Sequence, residues 1–301
     1  MALFVVALVA GAAFAMVERL RINIRRTELL LNNNQAYLYA QGSIAWAMDY
    51  LNVDWKEKKT GKLVDSLPAQ SPANKENNAT ITSTIQDAQA NFNLNNLIDP
   101  SYQQSFTRLI QVIAPDTDAE SAKNITQAAV DWITPGIINS TFDQYYAKLD
   151  VPYRAPHHIM SSASELRLIK GVTAKLYNQL IPYLTALPDS NTPINVNTAP
   201  APVLMSLMPR LTATAAKTIL LYRKQNPFIE PQQFLALEVI KNNLVAENKI
   251  DNKITVISGY FLTQTTVSIG KQQITLYTLL QRITKNSQPK VIVLWQTKGT
   301  L

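Results

Sequence analysis

MALFVVALVAGAAFAMV (residues 1–17) contains no charged side chain, and ERLRINIRR (18–26) then brings Glu18, Arg19, Arg21, Arg25 and Arg26 in quick succession. Wound as a helix, the apolar run is about 26 Å long, just short of the roughly 30 Å of hydrocarbon in a bilayer. Ala13-Phe14-Ala15 fits the cleavage site of a secretory signal peptide, but such a peptide opens on Lys or Arg, and none stands ahead of this run. The helical period also continues past the arginines. Leu20, Ile24, Leu31, Leu38 and Trp46 are apolar, Ala36, Ala40, Ser43 and Ala47 make a small-residue stripe at helical spacing, and no proline intervenes before Pro68. The expectation is one helix over residues 1–52, roughly 75 Å long, membrane-anchoring in its first third and amphipathic thereafter.

Residues 53–96 turn polar: Lys56, Lys58, Lys59, Gly61, Pro68 and Pro72 mark an exposed loop, and TITSTIQ (80–86) alternates as a strand does. Over 97–245 the pattern is helical in pieces, SYQQSFTRLIQVIA, AESAKNITQAAVDWI, SELRLIKGVTAKLYNQLIPYLTAL, APVLMSLM and ATAAKTILLYRKQ, parted by short proline-containing joints. Residues 246–301 return to β-branched and aromatic runs, ITVISGYFLTQTTVSI, QQITLYTLLQRI and VIVLWQT, which give three strands. Strands on both sides of a helical block imply that the block is inserted into an α+β domain.

A chain of 301 residues can bury two modest cores. With no cysteine, it has no disulfide, thiolate metal site or cysteine nucleophile. The only two histidines, His157 and His158, are adjacent, so any Ser-His-Asp or multi-histidine metal site must pass through that pair. No nucleophile–base pair stands out for a periplasmic enzyme. The net charge of +7 comes from the last third, where residues 201–301 hold 12 Lys/Arg against 4 Asp/Glu. That excess reads as a solvated face unless a site organises it.

Five motifs occur in order, NFNLNNL (91–97), AAVDWI (128–133), VPYRAP (151–156), SELRLIKG (164–171) and INVNTAP (194–200), with SGYFL (258–262) on a late strand. Together with the apolar N-terminal helix they resemble the K-type minor pseudopilins of type II (general secretory pathway) export systems. The resemblance implies an α+β, pilin-like fold, a long N-terminal helix on a small antiparallel sheet, with a large inserted all-helical domain of the SAM-like, helix-hairpin-helix-like kind. It also implies a single-pass inner-membrane protein with its body in the periplasm, and no catalytic role. Its expected partners are the I-, J- and H-type minor pseudopilins in a complex at the pseudopilus tip, and through it the secretin channel and exported proteins. Family precursors carry a short basic leader ending in glycine, and none precedes Ala2. The expectation is that the chain begins a few residues into the mature helix.

Related proteins bind calcium through acidic residues after the DWI motif, commonly DWID followed by further Asp and Glu, where this chain reads DWITPGIINSTFDQYY. The resemblance leaves Asp131 and Asp143 as calcium candidates, with Thr134 where an aspartate is usual. Calcium takes six to eight oxygens, so Asn139, backbone carbonyls or water would complete the shell. Asp131 reads equally as a helix-surface charge. No cofactor is required on this reading, and calcium is the optional one.

INVNTAPAPVLMSLMPRLTATAAKTILLYRKQNPF also resembles the helix-hairpin-helix of DNA-binding competence proteins, which makes a membrane-anchored DNA-uptake receptor the alternative. That module holds phosphate on a Gly-hydrophobic-Gly turn of bare N–H groups. Pro209-Arg210-Leu211-Thr212 replaces it here; proline has no N–H, and side chains stand where glycines allow close approach. Arg210, Lys217, Arg223 and Lys224 keep a non-specific attraction for phosphate, and the structural reading without nucleic acid is preferred. Gly171 marks a turn in a second, degenerate hairpin, His157 and His158 read as a solvated loop, and Trp46, Trp55, Trp132 and Trp295 as packing anchors.

Overall fold

A computed structural model describes residues 1–59, 69–71, 74–76, 78–244, 250–285 and 288–299. Most of the expected polar loop after Lys59, and the domain edge expected at 245/246, lie outside the described residues. Helix α1 spans Ala2–Lys59, past the expected end at 52. No proline stands before Pro68 and no glycine between Gly42 and Gly61, so nothing in the sequence stops the helix at 52, and Asp54 in the added stretch pairs with Arg282 of the sheet. At 58 residues the helix is about 87 Å long.

The two halves of α1 meet different surroundings. Through residue 31 every side chain but that of Glu18 is exposed. From Ala36 onward a stripe of Ala36, Ala40, Ile44, Ala47 and Leu51 is buried on the sheet. Alanine at three of these five positions lets the helix axis approach the strands closely, while Ser43 lies half-buried beside the stripe. The sheet has four principal antiparallel strands in sequence order, β1 (Ala79–Asp87), β2 (Tyr260–Ile269), β3 (Gln272–Lys285) and β4 (Gln288–Lys298), and the short pieces Ala69–Gln70 and Asn74–Glu76 add to the outer edge of β1. Alternation puts Ile81, Ile85, Phe261, Val267, Leu276, Leu280 and Val291 under the helix. Ser83 and Thr265 share that buried face through a 2.8 Å hydroxyl pair.

Strands β1 and β2 are neighbours, with Asp87 opposite Phe261, so the whole insertion leaves and returns at one point. Its core draws on Phe92 and Leu94, upstream of the expected edge at 97, and on Ile250, Ile254 and Val256, downstream of 245. The expected strand ITVISGYFLTQTTVSI accordingly splits. Ile254–Thr255 pairs in parallel with Ile194–Asn195 of the insertion, and only Tyr260–Ile269 joins the sheet. The insertion carries α2 (Pro100–Ile113), α3 (Ala119–Ile133), α4 (Thr141–Tyr146), α5 (Ala174–Leu180), α6 (Ala201–Leu207), α7 (Ala213–Gln225), α8 (Pro231–Ala236) and α9 (Glu238–Lys241). The segment Ala163–Leu168 is a 3-10 helix, and Leu184–Thr185 pairs with Phe92–Asn93 instead of extending a helix. Gly171 turns between these pieces at φ +87°, and a Cβ there would lie 2.9 Å from Ile125 Cγ1. Conformation and space both require glycine.

Buried polar side chains hold the irregular chain between helices. Asn95 donates to the carbonyls of Met160 (2.9 Å) and Leu187 (2.8 Å) and accepts from Met160 N (2.7 Å). Asn96 brackets Thr192 in the same two-way manner, at 2.7 and 3.0 Å, and Asn93 accepts from Leu187 N at 2.9 Å. Each amide satisfies backbone groups that no ladder reaches, as buried polar groups require. At the exit point, the Asp87 carboxylate accepts from Gln89 N (2.8 Å), Asn195 Nδ2 (3.0 Å), Ser258 Oγ (2.7 Å) and the Thr198 hydroxyl. Burial drives the Asp87 carboxyl up from the ordinary carboxylate range, against the pull of these four donors.

Candidate functional site

Helix α3 ends in AAVDWI, which turns its last residues into the insertion's core. Trp132 and Ile133 are buried, and Trp132 Nε1 donates to Glu165 of SELRLIKG at 3.1 Å. The chain then passes through Gly136 (φ +80°) and Asn139 (φ +57°) to Ser140, the N-cap of α4. Ser140 and Asp143 form a reciprocal capping box: Ser140 Oγ accepts from Asp143 N at 3.0 Å, and Asp143 Oδ2 accepts from Ser140 N at 3.1 Å. The same Ser140 hydroxyl donates to Asp131 Oδ2 at 3.0 Å, tying the end of α3 to the start of α4.

The two candidate acids are thus brought together, and His157 joins them. One ligand atom from each of Asp131, Asp143 and His157 lies within 4.8 Å of the others. His157 corrects the expectation of a solvated loop. Its side chain is 16% exposed, it adopts φ +46°, and its Nε2 sits 3.0 and 3.1 Å from the two Asp143 oxygens while Nδ1 sits 2.9 Å from the Asp131 carbonyl. His158 stays exposed. Sequence spacing gave no sign of this contact, because VPYRAP loops back over the α3 end only in the folded chain.

Burial alone would lower the His157 pKa, but the Asp131 carbonyl and the Asp143 carboxylate outweigh it and hold it above the ordinary 6.5. Burial likewise pushes the Asp143 carboxyl up, and the Ser140 amide and His157 more than reverse this, leaving it below the ordinary range. Asp131 is pushed up, by burial first, with Ser140 opposing. A raised histidine stabilises fully below its unfolded pKa and loses that stabilisation as pH rises through the folded value; the depressed Asp143 loses its share as pH falls through its own. Melting curves of wild type and His157→Asn should therefore differ most near about pH 6 and converge toward about pH 9. A difference constant across that range would contradict the ion pair.

The donor set suits calcium poorly. Asp131 Oδ2 is engaged by Ser140, both Asp143 oxygens face His157, and the Thr134 hydroxyl donates to Val130 O at 2.6 Å. An imidazole nitrogen is not among the hard oxygens that calcium takes.

In the segment that resembles a helix-hairpin-helix, Pro209 and Arg210 are exposed between α6 and α7. Arg223, one of the four expected cations, instead turns inward and donates to the carbonyls of Val196 and Ala199, both at 2.7 Å. Burial pulls its pKa down to about 10. Lys217 and Lys224 remain exposed, without a glycine turn beside them.

Among the described residues one helix, α1, is long and apolar enough to cross a membrane, and none of its apolar window is covered by the body. Such a helix laid on an antiparallel sheet, with a helical domain interrupting β1 and β2, defines a pilin-like protein. Two family models for type II secretion system protein K match residues 90–189 and 194–256. The type II secretion system protein K of Klebsiella pneumoniae is 29% identical over 299 residues, covering 94% of this chain and 90% of that protein. Its counterpart in Pseudomonas aeruginosa is 28% identical over 297 residues, covering 93% and 86%. A crystal structure of the GspK-GspI-GspJ complex from enterotoxigenic Escherichia coli contains a chain with TM-score 0.77 and 25% identity, covering 92% of this chain and 100% of that one. The chain belongs to the type II secretion system protein K family and is a minor pseudopilin. The DNA-uptake alternative is not favoured.

Proposed function

We propose that this minor pseudopilin caps the pseudopilus of a type II secretion system, joined to I-, J- and H-type minor pseudopilins, and that it acts by assembly without catalysis. The observation that carries this reading is the attachment of the insertion. A domain spanning Ala88 to Gly259 is carried on one exit point between adjacent strands, beside a helix whose first 31 residues are exposed apart from Glu18. A helical filament repeats the same contacts above and below each subunit, so a body this wide would collide with a copy above it. At the tip nothing lies above, and the insertion is free to face the secretin channel or cargo. The likeness to a chain solved as part of a GspK-GspI-GspJ complex supports the choice of partners.

The exposed first half of α1 is the anchor and the surface for neighbouring helices. In this reading the helix sits in the inner membrane with the body in the periplasm, which places Arg19, Arg21, Arg25 and Arg26 on the outer side. A simple positive-inside count favours the reverse, and the family likeness supports the orientation chosen.

Affinity capture of the full-length chain from detergent-solubilised membranes should bring down I- and J-type pseudopilins together, and gold label should mark pseudopilus ends. Label at regular intervals along the shaft would overturn the tip position. A reporter fused after Leu301 that worked only in the cytoplasm would overturn the topology.

A further inference from the structure

Three acceptors converge on the His157 ring, and none has a proton to give. A backbone carbonyl accepts only, as does an ionised carboxylate. With Nδ1 at 2.9 Å from the Asp131 carbonyl and Nε2 at 3.0 and 3.1 Å from the two Asp143 oxygens, both ring nitrogens must carry hydrogen to make these bonds. The bound form is the imidazolium. It places one positive charge between the end of α3 and the cap of α4, where Asp131 and Asp143 approach each other. Those two acids are the calcium candidates that the family resemblance left.

We infer that in this chain the His157 imidazolium takes the place of a calcium ion, holding the turn between α3 and α4 closed without metal. The inference concerns the fold of the insertion and is independent of the proposed place at the pseudopilus tip. Charge and geometry both support the replacement. A metal in this turn would neutralise two carboxylates and link α3 to α4. The imidazolium links the Asp131 carbonyl to the Asp143 carboxylate directly, and the Ser140 hydroxyl takes up Asp131 Oδ2. The position Thr134, at the C-cap of α3, returns its hydroxyl to Val130 O and adds no carboxylate. The backbone of His157 lies at φ +46°, a left-handed conformation that few non-glycine residues adopt and in which histidine is among the more frequent. Lys148 and Arg154 line the same cavity as Asp143 and His157, and neither is among the groups that the ring contacts.

The test uses the full-length chain in detergent, melted with millimolar calcium, with millimolar zinc, and with chelator. An ion bound at a hundred times its dissociation constant would raise the midpoint of a domain this size by roughly 5 to 10 °C. The expected shift for wild type is less than about 1 °C with either ion, while His157→Asn melts several degrees lower in all three buffers; asparagine tolerates the left-handed backbone. A calcium or zinc rise of the larger size in wild type would overturn the inference, as would an asparagine variant that melts like wild type. A measurement that does not depend on the variant folding comes from isotope-labelled histidine, since the chain has only two. Near neutral pH one ring should show both nitrogens protonated. Two neutral rings would overturn the inference.

Discussion

Arg282→Ala should be the most damaging single substitution in the pilin-like half, lowering unfolding free energy by about 3–5 kcal/mol. The Arg282 side chain is 2% exposed, and its Nη2 binds both the Asp54 carboxylate and the Leu51 carbonyl, the latter at 3.2 Å. Its guanidinium carbon lies 4.4 Å from the centroid of the Phe261 ring and 5.8 Å from that of Trp55. Burial pulls the Arg282 pKa down, and Asp54 opposes that pull. Alanine removes the cation and leaves the Asp54 carboxylate, 11% exposed, without it. Removing one partner of a buried pair costs more than the pair contributes, because the remaining charge keeps its desolvation without its counter-charge. Urea titration of the full-length chain in detergent, read by tryptophan fluorescence, measures the loss. Amide exchange should accelerate first in residues 48–59, where α1 depends on Arg282 to stay on the sheet. The double variant Asp54→Leu/Arg282→Met should recover most of the stability; if it is as unstable as Arg282→Ala, the packing of the arginine stem, and not the charge pair, is what matters.

Asp87→Ala should cost about 2–5 kcal/mol and change how the protein unfolds. The carboxylate gathers donors from three separate stretches: Gln89, Asn195 with Thr198, and Ser258. Without it those donors lose their shared charged acceptor, although Asn195 Nδ2 still donates to Ser258 Oγ at 2.9 Å and the Thr198 hydroxyl still lies 3.4 Å from the Asn195 carbonyl. The damage falls on the exit point of the insertion and not within either core, since the insertion packs around Phe92, Phe106 and Leu109 and the sheet around Ile85, Phe261 and Leu280. Calorimetry should therefore show one transition splitting into two. Gln89 keeps a partial hold, with Oε1 accepting from Tyr260 N at 3.3 Å and Nε2 donating to Pro193 O at 2.8 Å. Asp87→Ala combined with Gln89→Ala should separate the transitions further. A variant that still melted as one unit at the wild-type midpoint would show that the two cores are coupled by other contacts.

The motifs that carry the family resemblance have a common physical role. Asn93, Asn95 and Asn96 of NFNLNNL, Asn195 and Thr198 of INVNTAP, Glu165 of SELRLIKG and Ser258 of SGYFL are each hydrogen-bonded across the fold to chain far away in sequence. Their residue types are legible as motifs. Their partners are not, because a buried amide can satisfy any backbone group that the fold brings near.

What the sequence determined by itself is what depends on local period. The long α1 helix, its small-residue stripe and the alternation of β1 through β4 follow from spacings of three to four and of two residues, which fix which side chains share a face whatever lies opposite. The insertion follows from the order of those periods along the chain. Tertiary structure alone decided the rest. It paired Asp54 of α1 with Arg282, moved Ile254–Thr255 from the sheet into the insertion, turned Arg223 away from solvent, and set His157 against Asp143. Each of these joins groups separated by 14 to 228 residues in sequence. No local periodicity encodes them, because what selects them, a charge buried beside its counter-charge, a strand ladder, or a guanidinium on backbone carbonyls, exists only once the chain has folded around both partners.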